Sequence, residues 1–279
     1  MIGENGFVLE NGVELPYVGF GTYLVKEENI IREALENGYR HLDTAARYEN
    51  EAIVGSALRD CGINRNDLFI TSKVWKTELG YDATLRSFDA SLSVLGLRYL
   101  DLFLIHWPQP TATSDWKPLL TESWKALERL YDEGAVRAIG VCNCLPHHLL
   151  HILKDANTRP MVNQLEFHPG YTQAATLQFC MNQGIQAEAW SPLGRGRVLT
   201  DPLVLELAEK YNRTPAQICL RFCLQSNVLP LPKASSPERM RENLSLFDFD
   251  LELADVYRLQ TMPETGWSGL HPAAFPPKG

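Results

Sequence analysis

The 279-residue chain is 45% hydrophobic and 22% charged, with a formal charge of -8 and a pI near 5.4. Its length suits one large core of the kind an α/β barrel builds. The acidic balance argues against a general binder of nucleic acid or membrane surfaces, so a phosphate site would have to be a local basic cluster. No apolar run reaches spanning length and Met1 to Gly6 lacks the regions of a secretory leader, so a cytoplasmic location and no membrane contact are expected. Cys61, Cys142, Cys144, Cys180, Cys219 and Cys223 show no C-x-x-C pair or zinc-type spacing and read as reduced thiols. Cys219 and Cys223, four apart on a predicted helix, read as small buried hydrophobes.

In chain order, Phe7 to Leu9 and Val13 to Leu15 flank Asn11-Gly12, a strong hairpin signal placed to plug one end of a barrel. Eight apolar runs of strand length follow: Val18 to Phe20, Arg40 to Asp43, Leu68 to Val74, Leu100 to His106, Ala135 to Cys142, Met161 to Phe167, Ile185 to Trp190 and Val228 to Pro232. Between them the period turns helical, as at Leu85, Phe88, Leu92 and Leu95, and at Trp124, Leu127 and Leu130. Glycines at 38, 62, 96, 134 and 184 fall where those helices should stop. Thr214-Pro215-Ala216-Gln217 combines a capping box with an N1 proline, and Ser236-Pro237 repeats the cap.

Strand and helix alternation with right-handed crossovers predicts a single-domain (β/α)₈ TIM barrel over residues 1–279, with the N-terminal hairpin as plug. An open doubly wound sheet has a similar pattern and is the structural alternative. Two further helical stretches, near Leu203 to Tyr211 and Leu251 to Leu259, exceed the eightfold count and read as decorations.

The strand ends carry the chemistry. Asp43, Lys73, His106, Asn143, Trp190-Ser191 and Lys233 stand at or just past the C-terminal ends of their strands and Gln164 lies late in the sixth, so seven successive strands carry polar or ionisable groups toward the same end. Singly, each reads as a cap, a turn or a satisfied polar group. In a barrel, however, those ends form one face, where active sites are assembled from loops. Tyr48 lies five residues beyond Asp43. A phenol with a pKa near 10 is a weak acid at neutrality, and a close ammonium such as Lys73 lowers it. Bringing it into the working range takes about 3 to 4 kcal/mol, which one near charge in a partly dry site can supply. Asp43 would hold Lys73 charged and aimed, and His106 could orient a carbonyl oxygen beside the phenol.

The motifs G-Y-R-H-L-D-T-A-A-R-Y at 38 to 48, T-S-K-V-W at 71 to 75, D-L-F-L-I-H-W-P at 101 to 108, N-Q at 163 to 164, W-S-P-L-G at 190 to 194 and L-P-K-A-S-S-P-E-R-M-R-E-N at 231 to 243 together resemble the aldo-keto reductase superfamily over almost the whole chain. The short loops and tail look most like its bacterial and protist members, which include 2,5-diketo-gluconate reductases. The resemblance implies a barrel enzyme that reduces aldehydes and ketones with NADPH. It makes Tyr48 the proton donor, Asp43 and Lys73 its tuners and His106 the carbonyl-orienting group. It also implies cofactor contacts from Thr22, Asp43, Cys142, Asn143, Gln164, Trp190, Ser191 and Leu193. Cys142 stands where Ser is usual and Trp190 where Tyr is common, which points to altered affinity and retained function.

The phosphate site has its own logic. Gly19-Phe20-Gly21 and Gly194-Arg195-Gly196 both lack the third glycine of a dinucleotide fingerprint. Lys233, Ser235 and Arg239 instead surround the helix start capped by Ser236, where free N–H groups and the helix dipole favour an anion. The resemblance places the 2′-phosphate there, with Glu242 and Asn243 near the adenine. Ala234 replaces a common Ser and removes one hydrogen bond. For the substrate, a small carbonyl compound, Tyr23, Trp75, His106 and Trp107 are the expected pocket, with Trp116, Trp267 and Leu270 as further candidates for its apolar wall. The Pro276-Pro277 tail is expected to cross a surface.

A metal hydrolase would need several ligands at strand ends, yet His147, His148 and His151 sit at a predicted helix start. The stronger rival is a regulatory protein on the same fold that binds cofactor without turning it over, as among the potassium-channel β-subunit relatives. A monomer or weak dimer is expected.

Overall fold

Asn11-Gly12 turns the chain first. In the computed structural model, which describes residues 6–111 and 114–273, β1 (Gly6–Val8) and β2 (Glu14–Pro16) pair antiparallel, with Phe7 opposite Leu15. The Gly12 N–H donates to Leu9 O at 2.9 Å, and φ of +83° there supplies the left-handed residue that a three-residue hairpin loop requires. The Asn11 amide donates to Arg137 O at 2.9 Å, near the start of β7 (Val136–Cys142), while Phe7 and Leu15 are buried. The hairpin thus covers the N-terminal end of the barrel.

The remaining strands are β3 (Gly19–Gly21), β4 (His41–Asp43), β5 (Phe69–Val74), β6 (Leu100–Ile105), β8 (Val162–Glu166), β9 (Gln186–Trp190) and β10 (Val228–Leu231). All eight from β3 to β10 run parallel, and spatial order follows chain order throughout. An open doubly wound sheet needs a reversal in that order, and there is none. The first and last strands meet where the Gly21 N–H donates to Pro232 O at 3.0 Å, which joins the sheet into a nearly closed barrel. Glycine permits this seam. A Cβ on Gly19 would stand 2.4 Å from Leu231 Cδ2, and one on Gly21 would stand 3.0 Å from Leu231 O.

The crossovers are α1 (Glu28–Glu36), α2 (Glu51–Asp60), α3 (Tyr81–Leu95), α4 (Trp116–Asp132), α5 (Pro146–Leu153), α6 (Ala174–Asn182) and α8 (Pro215–Gln225), with α9 (Pro237–Leu244) following β10. The two supernumerary helices are α7 (Pro202–Tyr211) and α10 (Leu253–Thr261), as the pattern predicts. At the end of α3, Gly96 takes φ of +69° and the Leu97 N–H reaches back to Leu92 O at 3.0 Å, closing the helix in Schellman fashion. Thr214 caps α8 reciprocally: its hydroxyl accepts from the Gln217 N–H at 3.2 Å, and its own N–H donates to Gln217 Oε1 at 3.0 Å.

Beneath α7, α8 and α10, Phe167 stacks on Phe222 with centroids 5.5 Å apart, in a second body of core that includes Leu207, Ile218 and Val256. Burying each such side chain contributes about 1.5 to 3 kcal/mol. Cys219 and Cys223 lie in this core, and all six cysteines are free thiols. Among the described residues no helix is long and apolar enough to cross a membrane. The Pro276-Pro277 tail lies outside the described residues.

Candidate active site

Parallel pairing fixes which side chains share the barrel interior. Asp43 is in register with Thr71, Cys142 with Gln164 and Gln164 with Glu188; Lys73 follows Thr71 by two and so points the same way. These residues form the upper layer of the interior, and the layer is polar. Lys73 Nζ, fully buried, donates to Asp43 Oδ1 at 2.6 Å, to Thr44 O at 3.0 Å and to Tyr48 Oη at 3.2 Å. Tyr48 reaches the cluster from a short 3₁₀ turn, Ala46–Tyr48, that closes the loop after β4. The His106 ring packs edge-on to Tyr48, with centroids 5.6 Å apart. Four residues spread over more than sixty positions of chain therefore meet at one mouth.

The electrostatics follow from burial. Burial by itself would strip the proton from Lys73, but Asp43 against it holds the ammonium above the ordinary lysine range. His106 is held well below its ordinary value by burial, then by the Lys73 and Arg47 cations, so the imidazole is neutral. Tyr48 departs from the expectation. Burial raises the phenol above its ordinary value, and Lys73 pulls it back without prevailing. Tyr48 accordingly stands as a neutral O–H donor, and the ammonium limits the rise in its pKa without producing a net fall.

The other predicted residues occupy the same end of the barrel. Thr22 is buried, its hydroxyl donating to Asp43 O at 2.9 Å. The Asn143 amide donates to His106 O at 3.0 Å, and Asn143 Oδ1 accepts from Trp190 Nε1 at 2.9 Å. Trp at 190 therefore contributes a hydrogen bond as well as a ring. Asn143 and Ser191, each directly past its strand, take φ of +59° and +50°. Left-handed backbone at non-glycine residues concentrates where side chains must be aimed. Burial raises the Cys142 thiol well above its usual range, and the residue lies inside the core. Leu193, half-buried, begins the irregular turn over Gly194–Thr200.

At the start of α9 the Arg239 N–H points at Ser236 Oγ at 3.5 Å. Lys233, Ser235 and Arg239 are exposed there, and among the described residues no ion pair engages Lys233 or Arg239. Two cations without an ion pair, at the positive end of a helix dipole, suit an anion. Glu242 accepts from the Thr214 hydroxyl at 2.6 Å, which ties α9 to the cap of α8, and Asn243 is buried against the Tyr39 phenol.

Tyr23 and Trp75 frame the mouth. The Tyr23 ring lies 5.1 Å from Tyr48, and the Trp75 ring 5.0 Å from His106. Trp107 is buried directly after His106. Trp116 packs on His147, His148 and His151 of α5, while Trp267 stacks on Tyr171 and donates to Leu270 O at 3.3 Å.

One participant was not anticipated. Glu188 is fully buried in the same layer, accepts from Gln164 Nε2 at 2.9 Å, and its carboxyl is pushed up to about 8 by burial and then by the Asp43 charge. The signal for it lay in β9, where Gln186-Ala187-Glu188-Ala189-Trp190 alternates polar and apolar and puts Glu188 on the face shared with Trp190.

The aldo/keto reductase family model matches residues 21–263. The chain belongs to that family. It is 47% identical over 275 residues to the uncharacterized oxidoreductase YtbE of Bacillus subtilis, covering 96% of each chain. It is 45% identical over 268 residues to the glyoxal reductase of the same organism, covering 95% of each. To the 9,11-endoperoxide prostaglandin H2 reductase of Trypanosoma cruzi it is 40% identical over 282 residues, 99% of this chain and 97% of that one. The crystal structure of Gox0644 in its apo form superposes with a TM-score of 0.90 at 38% identity, over 97% of this chain and 98% of that chain. Membership in the aldo/keto reductase family makes this chain an oxidoreductase of carbonyl groups.

Proposed function

We propose that the protein reduces small aldehydes and ketones to alcohols with NADPH, and that Tyr48 gives the proton. The observation that carries this is the Lys73 ammonium, anchored on Asp43 at 2.6 Å and in hydrogen-bond reach of the Tyr48 hydroxyl at 3.2 Å, with a neutral imidazole beside them. Such a phenol can donate to a carbonyl oxygen and be resupplied, while the ammonium stabilises the negative charge that remains when the proton leaves. Neutral His106 supplies a second hydrogen bond that fixes the carbonyl oxygen.

The residues present suit the cofactor. Asn143 and Gln164 offer amides at the mouth, Trp190 a ring, and Lys233 and Arg239 unpaired cations for a 2′-phosphate. NADPH, when bound, supplies the reducing hydride. The similarity to a glyoxal reductase favours compact α-dicarbonyl compounds, of which glyoxal is the smallest, as substrates. We also assign the protein to the cytoplasm on the grounds of its six free thiols, and propose a monomer or weak dimer.

The test is turnover, read as loss of NADPH absorbance with methylglyoxal or simple aldehydes. Tyr48→Phe should lower kcat by about 10²- to 10⁴-fold. Near-wild-type turnover in that variant would end the proposal, and no turnover in the unaltered protein would favour a cofactor-binding regulator.

A further inference from the structure

Gln164 Nε2 carries two hydrogens, and both are committed: one to Asp43 Oδ2 at 2.8 Å, the other to Glu188 Oε2 at 2.9 Å. An amide oxygen in that place would face the Asp43 carboxylate, which is paired with Lys73, so Asp43 favours the NH₂ end there. The Gln164 carbonyl oxygen is thereby left as the one polar atom of this side chain that can meet a ligand. Asp43 alone would leave the second N–H free, and the amide could then swing or present a donor. Glu188 removes that freedom. It is fully buried, and among the described residues its Oε1 has no hydrogen-bond partner, so the carboxyl occupies a costly place with its bond to Gln164 as compensation.

We propose that Glu188 is a positioning residue that locks Gln164 with its carbonyl oxygen toward the mouth, so that the site selects a nicotinamide ring bearing a carboxamide N–H donor. This rests on the cofactor assignment made under Proposed function. The groups facing Glu188 are Gln164 on β8, Asp43 on β4, Lys73 on β5 and Cys142 on β7, with Leu229 its neighbour on β10. The upward shift of its carboxyl agrees with a neutral group at physiological pH, so Lys73 and Asp43 stay balanced as a pair.

The test compares the binding of NADP⁺ with that of its 3-acetylpyridine analogue, in which a methyl group replaces the carboxamide NH₂. Titration calorimetry or quenching of tryptophan fluorescence reads affinity without turnover. The unaltered protein should prefer NADP⁺ by about fivefold to tenfold, the worth of one hydrogen bond. Glu188→Leu should bring that preference to within about twofold while NADP⁺ still binds, because a freed Gln164 no longer presents a fixed acceptor. If the leucine variant does not fold, Glu188→Asp, one methylene too short to reach, carries the same expectation. Glu188→Gln keeps an acceptor toward Gln164 and should retain the preference.

An unchanged preference in the leucine or aspartate variant, or its loss in the glutamine variant, overturns the proposal and leaves the cofactor assignment standing. Loss of all NADP⁺ binding in the variants overturns it too, since an orienting residue changes selectivity before occupancy. Failure of the unaltered protein to bind NADP⁺ takes down the assignment and the proposal together.

Discussion

A fully buried ammonium persists at Lys73 because three oxygens surround it, one of them a carboxylate. That arrangement was legible in the sequence, since Asp43 and Lys73 stand at ends of successive strands and a barrel brings such ends together. The direction of the Tyr48 shift was not legible, because burial depends on every neighbour of the loop after β4 and a list of nearby charges does not contain it. Glu188 escaped for a related reason. A single glutamate in an alternating strand reads as solvent-facing, and only closure of the sheet turns that face into the barrel interior. Its titration has a definite sign. The folded-state pKa is raised from 4.5 to about 8, so the folded protein holds a proton that the unfolded chain releases. Stability from this group is therefore full below about pH 4.5 and is lost as pH rises toward about 8, by an amount on the order of a few kcal/mol. Glu188→Gln has no such loss. Its melting temperature relative to the unaltered protein should rise between pH 5 and pH 9, and a gap that stays constant with pH would show that residue 188 does not titrate in that window.

At the scale of elements, the caps were the most readable features. Thr214 and Ser236 announce α8 and α9 by side chains that satisfy helix N–H groups within three residues, so the information is local. What α9 does for its neighbours was less readable: Glu242, expected near the adenine, is engaged by Thr214 across the helix pair. Among the described residues the cations at the same helix start, Lys233 and Arg239, have no ion-pair partner. A charge-assisted hydrogen bond from Arg239 to a 2′-phosphate is worth about 1.5 to 3 kcal/mol, and NADH lacks that phosphate. Arg239→Ala should therefore lower the ratio of kcat/KM for NADPH over NADH by about 10- to 100-fold, mainly through KM for NADPH. Steady-state kinetics with both cofactors reads this directly. A ratio that does not move would place the phosphate elsewhere.

For the molecule as a whole, the order of strands and helices followed from periodicity, because each hydrophobic face is written within its own segment. Closure was different. Whether eight parallel strands form a barrel or an open sheet is decided where β3 meets β10, two segments at opposite ends of the chain, and no local pattern records that contact. The seam depends on Gly19 and Gly21, which in the sequence read as an incomplete dinucleotide motif. In the structure they make room for Leu231 and for the His41 ring, whose Nδ1 would lie 2.8 Å from a Cβ on Gly19. Gly19→Ala should overpack this seam and destabilise the fold by about 1 to 3 kcal/mol in urea unfolding. Leu231→Ala alone leaves a cavity and should also destabilise. Combined, the added methyl group occupies space that the leucine vacates, so the double variant should be more stable than the sum of the two losses by about 0.5 kcal/mol or more. Strict additivity would mean that residues 19 and 231 do not share the seam and that the barrel is joined some other way.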